Sequence, residues 1–190
     1  MINMKRFILV IMVFMAFLLY GCNGNRDGEA MDLNAYLSGS QDQQGENLMK
    51  IITKALDEKD AQLLKSVFSE ETKASCPELD RQIEELFAYY EGPTVSFKGK
   101  TPYATGHTSL GRDESGRLIG DQGYWLISGE YQVETVSEKY WIHFTFYSKH
   151  EADPKKNGIF IMEIITDDIM ESEGVYRHSM QTEKGIFIDL

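Results

Sequence analysis

Four histidines, His107, His143, His150 and His178, are the side chains best suited to proton transfer or metal ligation in this sequence of 190 residues. No two of them stand at ligand spacing, and neither H-x-H nor H-E-x-x-H occurs. His143 is the best placed. It falls in the middle of an alternating segment and shares its parity with Glu130 and Glu163 on flanking segments. Neighbouring strands in suitable register would make it an imidazole between two carboxylates, able to act as a base or to hold a metal. The plainer alternative is cross-strand charge pairing on a half-exposed sheet. The adjacent carboxylates Asp57-Glu58, Glu84-Glu85 and Asp167-Asp168 point apart on a helix or strand, so adjacency alone makes no acid–base dyad. Cys76 has no C-x-x-C partner, which excludes dithiol chemistry. It reads as an inert thiol at a helix start. No Gly-rich phosphate loop occurs. Tyr89, Tyr90, Trp125 and Tyr131 either line a small-molecule or carbohydrate pocket or fill the core of a curved sheet. No catalytic residue, metal or cofactor is assigned.

Ahead of these residues stands a segment with a different composition. Lys5 and Arg6 precede 13 consecutive apolar residues, 7–19. A transmembrane helix needs about 20 such residues, and the shorter run has the length of a signal-peptide core. The sequence Leu19-Tyr20-Gly21-Cys22 follows. It resembles the lipobox of bacterial lipoproteins, in which a peptidase cuts before the cysteine and the thiol carries a diacylglycerol. Tyr20 departs from that pattern, where a small residue is usual. The resemblance implies a signal peptide over 1–21, lipidation of Cys22 and attachment at the extracytoplasmic face of the cell membrane. The alternative is an uncleaved anchor. One acyl chain binds a bilayer marginally at about 0.8 kcal/mol per buried methylene, and two or three hold stably. Residues 22–44 are rich in Asn, Gly, Asp, Ser and Gln and read as a flexible tether. Met31, Leu33, Tyr36 and Leu37 are the residues within it that would dock.

The charge balance narrows the partners. With 19 basic and 30 acidic side chains the net charge is −11. Without Lys5 and Arg6 it is −13. Such a surface repels nucleic acid, and no nucleic-acid partner is expected. It also repels anionic lipid, so the folded part should stand off the bilayer.

The positioning elements follow from hydrophobic period. Leu48, Ile51, Ile52, Ala55 and Leu56 form one stripe of a helix over about 45–58. Asp60 suits the cap of a second helix carrying Ala61, Leu64, Val67 and Phe68. Residues 69–75 read as a polar turn. Pro77 suits the first turn of a third helix, whose inward face is Leu79, Ile83, Leu86, Phe87 and Tyr90. Gly92-Pro93 ends it. The period then drops to 2, with strands predicted from Val95 and over 124–136, 139–149 and 158–166. Ser137-Glu138 predicts an antiparallel hairpin between the second and third of these. One parity set, with Ile127, Tyr131, Val133, Ile142, Phe144, Phe146, Phe160, Met162 and Ile164, should meet the helices. The other set, with Trp141, His143, Ile159, Ile161 and Ile165, forms a partly wet outer face. That face would pack on the C-terminal extension 168–190, on a second copy in a homodimer, or on a partner. The class is α+β.

The segments KALDEKDAQLLKSVFS, LDRQIEELFAYYEG, YWLISGEYQVETVSEKYWIHFTFYS and NGIFIMEII carry a resemblance. Together they resemble a family of uncharacterised bacterial lipoproteins, known mainly from gut Firmicutes, with a domain of unknown function. The resemblance covers about residues 45–168. It implies a nuclear transport factor 2-like, or cystatin-like, cone of helices wrapped by a curved antiparallel sheet. It brings no activity and no site residue. The expectation is therefore a cell-envelope lipoprotein whose domain binds a small ligand or an envelope partner without catalysis. The alternative is a small hydrolase or isomerase with a single acid–base residue in the cone cavity.

Overall fold

A computed structural model describes residues 33–107, 111–112, 114–115, 118–119, 123–173 and 183–188. The leader, Cys22, the first part of the tether and His178 lie outside the described residues, as does most of the extension between 174 and 182.

Helix α1 (Leu33–Tyr36) precedes α2 (Gln41–Glu58). The chain is thus helical well before residue 45, where the flexible tether was expected to end. Two local features explain the earlier start. Ser40 and Gln43 form a reciprocal capping box at the head of α2. Leu37 is buried, and Leu33 lies against Gly158. Asp60 caps α3 (Ala61–Ser66) by accepting from the Leu63 N–H at 2.9 Å. The polar stretch after it is a helix, α4 (Glu70–Ser75), because Ser69 caps it by accepting from the Thr72 N–H at 3.0 Å. Helix α5 (Leu79–Tyr89) starts two residues beyond Pro77, which sits in the preceding turn.

The strands are β1 (Thr94–His107), the short pair β2 (Gly111–Arg112) and β3 (Leu118–Ile119), β4 (Tyr124–Thr135), β5 (Lys139–His150), β6 (Gly158–Thr166) and β7 (Gly185–Ile188). Helix α6 (Asp167–Glu173) follows β6 directly. The β4–β5 hairpin forms as the sequence implies. The Thr135 hydroxyl oxygen accepts the N–H groups of Ser137 and Glu138 at 3.2 and 2.9 Å and fixes the turn.

The main sheet runs β1-β4-β5-β6-β7. It is open, with β1 and β7 at opposite edges, and it is mixed, because β7 pairs parallel with β6. This overturns the nuclear transport factor 2-like, cystatin-like cone: the sheet neither closes nor curls round the helices. The α+β class stands, with an open sheet. The tail also takes a different place. Its apolar run extends the sheet edge beside β6 and meets α5, whereas docking on the outer face was expected.

Helix α2 packs on β1 and β4, and α4 on β6. Ile142, Phe144 and Met162 are buried as their parity requires. Parity fails at one place. The register steps from Thr145↔Ile161 to Phe146↔Ile159, so Phe160 is an extra, bulged residue. Ile159 therefore joins the helix side, bridging to Phe68, while Phe160 packs on Tyr147 at 5.4 Å. Two further irregularities interrupt β1, at Val95 and across 101–102. Among the described residues no helix is long and apolar enough to cross a membrane.

Candidate functional site

The apolar stripe of α2 turns the opposite positions outward. Lys50, Lys54, Asp57 and Glu58 line an open groove of about 530 Å³ with Thr53 beneath them and residues 94–97 of β1 as the far wall. The groove exists because α2 is held alongside β1 at two points, one near each end of the helix. At one, the Thr94 N–H and hydroxyl both donate to Asp57 Oδ1, at 2.8 and 2.9 Å. At the other, the Thr101 N–H and hydroxyl both donate to Asp42 Oδ1. The Thr101 hydrogen bonds hold the Asp42 carboxyl below its usual value. Helix and strand consequently run antiparallel.

At the Asp57 end the hydrogen bonds continue inward. Since the Thr94 hydroxyl donates to Asp57, its oxygen accepts from the Tyr90 hydroxyl at 2.6 Å. Burial pushes the Tyr90 phenol up to about 12, so this relay holds its proton at neutral pH. Within the groove, Lys54 and Glu58 pair at 2.9 Å.

Glu130, His143 and Glu163 do fall into one row. Glu130 is opposite His143 on β4 and β5, and His143 is opposite Glu163 on β5 and β6. Burial lowers the His143 imidazole to about 4, which leaves it neutral at pH 7. The row is not an open site. Glu163 is 1% exposed, and Thr145, Ile161 and Ile165 around it are buried. Asp167 closes one side by accepting from Trp141 Nε1 at 2.7 Å and Gln132 Nε2 at 3.1 Å. The outer face is thus buried at Thr145, Ile161, Glu163 and Ile165 and half-buried at Glu130, Gln132, Trp141 and His143, as a partly wet face should be. Among the described residues, no three His, Cys, Asp or Glu side chains converge as metal ligands.

The four candidate pocket aromatics do not converge. Tyr89 and Tyr90 pack on Tyr140, with ring centroids 5.7 and 4.9 Å away. Trp125 lies over Gly106 at the far end of β4, half exposed. Tyr131 is a core residue, stacked on Phe144 at 5.7 Å. Its ring fills a slot left by missing side chains. A Cβ on Gly45 would lie 2.4 Å from the Tyr131 hydroxyl, and one on Gly99 would lie 2.5 Å from the ring. That hydroxyl is buried with no hydrogen bond among the described residues, and burial raises its pKa. Cys76 is buried, its thiol 3.6 Å from Gln82 Oε1.

Sequence reasoning missed the groove. Asp57 read as one half of a surface pair and Thr94 as a residue before a strand. Thirty-seven residues separate them, and no local pattern links them. The signal that was available is the row Lys50, Lys54, Asp57, the charged face opposite a clear apolar stripe.

No curated protein is similar enough to the chain to count as a relative. Residues 50–167 match a family described as a domain of unknown function, DUF5104. The matched stretch holds α2 from Lys50 onward, the remaining helices before the sheet, and β1 through β6, so both walls of the groove lie inside it. It is more than half of the sequence, and the chain belongs to the DUF5104 family.

Proposed function

We propose that this chain is a cell-envelope lipoprotein, anchored through Cys22, whose domain binds a small ligand in the α2–β1 groove without catalysing a reaction. The observation that carries the binding role is the groove itself, an open space of about 530 Å³ walled by charged side chains of α2 and by β1. Its walls are fixed by the Asp57–Thr94 hydrogen bonds, so the site is formed before a ligand arrives, as ligand sites usually are. The anchor rests on Lys5, Arg6, the apolar run 7–19 and the Leu19-Tyr20-Gly21-Cys22 sequence. The enzyme alternative placed its acid–base residue inside a cone, and the open sheet removes that cone.

Two measurements test the proposal. Intact mass of the protein purified from membranes should show acyl chains on Cys22, and Cys22→Ser should abolish them. An unmodified thiol in the membrane-derived protein overturns the anchor. Thermal melts against a metabolite and glycan panel should find at least one stabilising compound. Ser96→Trp, which fills the groove from β1, should remove that stabilisation. Equal stabilisation of the variant would place the ligand elsewhere.

A further inference from the structure

We infer that the α2–β1 groove takes a short zwitterionic peptide of about three residues, its carboxylate on Lys50 and its amino terminus on Asp57. The inference rests on the binding role proposed above and names the ligand class. Lys54 and Glu58 neutralise each other. Lys50 makes no ion pair with any described residue. Asp57 uses Oδ1 for both Thr94 donors, and its Oδ2 has no hydrogen bond among the described residues. Two opposite charges without ion-pair partners among the described residues therefore stand toward the two ends of one groove.

Their spacing selects the ligand. Seven residues of helix separate them, about 10 Å along the axis at 1.5 Å per residue. An extended tripeptide spans about 10 Å at roughly 3.4 Å per residue. A single amino acid is too short to reach both ends. A dicarboxylate would set like charge against Asp57, and a diamine against Lys50, so the arrangement rejects both. The direction of the bound chain also follows. Asp57 lies at the start of β1 and Asp42 further along it, so a peptide running from Asp57 to Lys50 runs parallel to β1. Val95 and Phe97 offer apolar surface to its side chains.

Equilibrium dialysis of labelled tri-alanine against the full chain in detergent micelles, at low salt, tests this. Saturable binding is expected. N-acetylation or C-terminal amidation of the peptide should each weaken it roughly 2–5-fold, the range of an exposed ion pair. Lys50→Gln should weaken the free peptide to the level of the amidated one, with no further loss on amidation. Asp57→Asn should do the same for acetylation, because its side-chain oxygen still accepts from Thr94. If Asp57→Asn melts earlier than the parent, the Lys50→Gln comparison decides. A doubly capped peptide binding as tightly as the free one overturns the inference, as does unchanged affinity in Lys50→Gln. Should tri-alanine fail to bind while a panel compound binds and is blocked by Ser96→Trp, the peptide assignment falls and the groove's binding role stands.

Discussion

Thr94 gives both of its donors to one oxygen of Asp57, the backbone N–H at 2.8 Å and the hydroxyl at 2.9 Å. Thr101 repeats the pattern on Asp42 at the other end of the same helix. Two carboxylates of one helix thus fix the edge strand of the sheet. The residues doing so are Thr94, next to the first irregularity of β1, and Thr101, within the second. Strand N–H groups released from the ladder at these places find side-chain acceptors instead.

Asp57→Ala should therefore destabilise the domain by about 1–3 kcal/mol, the range for losing hydrogen bonds to a charged acceptor. Asp80→Ala serves as the control. Its pair with Lys65 is solvent-exposed on the Asp80 side, and its loss should cost under about 1 kcal/mol. Urea melts of the two variants check the difference.

Tyr131 and Tyr140 should respond oppositely to loss of the hydroxyl. The Tyr140 oxygen accepts from the Glu91 N–H at 2.9 Å and its hydroxyl donates to the Tyr89 carbonyl at 3.3 Å. The Tyr131 hydroxyl is buried without such bonds among the described residues. Tyr140→Phe should cost about 1–2 kcal/mol, and Tyr131→Phe should be neutral or stabilising. Gly45→Ala, which drives a methyl against that hydroxyl, should be destabilising, and Tyr131→Phe should relieve part of the loss. A double-mutant cycle with coupling below about 0.5 kcal/mol would show that the slot tolerates the methyl without help.

His143 should impose an acid limb on stability. Burial lowers its imidazole from 6.5 to about 4 in the folded chain. The unfolded chain then takes up the proton first as pH falls. Stability is complete above pH 6.5 and is lost as pH drops from 6.5 to about 4. The loss is at most about 3–4 kcal/mol at roughly 1.4 kcal/mol per pH unit. Denaturant melts across that window should fall more steeply for the parent than for His143→Gln.

Strand β7 should depend on one side chain. The Ile186 N–H donates to Gln82 Oε1 at 3.0 Å, and the same oxygen lies 3.6 Å from the Cys76 thiol. Gln82→Ala should speed hydrogen exchange at Ile186 at least tenfold, while the Phe144 amide in central β5 exchanges as before. Equal rates at Ile186 in parent and variant would show that pairing with β6 alone orders the strand.

Much of the framework was legible in the sequence because it depends on local period. The stripe from Leu48 to Leu56 gave α2, Asp60 gave a cap, and alternation placed Phe144 on the buried side. The failures have physical causes. Residues 70–75 lack an apolar stripe, and their helix depends on the Ser69 cap and on burial of Thr72. Phe160 breaks the two-residue count, so every parity assignment beyond it reverses, which is why Ile159 was put on the wrong face. Whether a sheet closes depends on which strands reach one another, and no local pattern carries that. The row Glu130, His143, Glu163 was legible as parity, and the register joins it. The burial of its Glu163 end was not legible, because cover comes from other elements such as the start of α6.

The two irregularities of β1 bear on how such a domain behaves when many copies crowd one surface. Strand polymerisation requires a long, straight edge with free ladder positions. Here the outer edge keeps regular pairing geometry in two short runs, Ser96 to Lys100 and Tyr103 to His107, and Lys98 sits inside the first. A colliding edge would find at most five aligned residues in either run, with a lysine in the midst of the first, which works against edge-to-edge zipping. The same departures from regularity that free Thr94 and Thr101 to bind α2 make the longest strand of the sheet a poor template for aggregation.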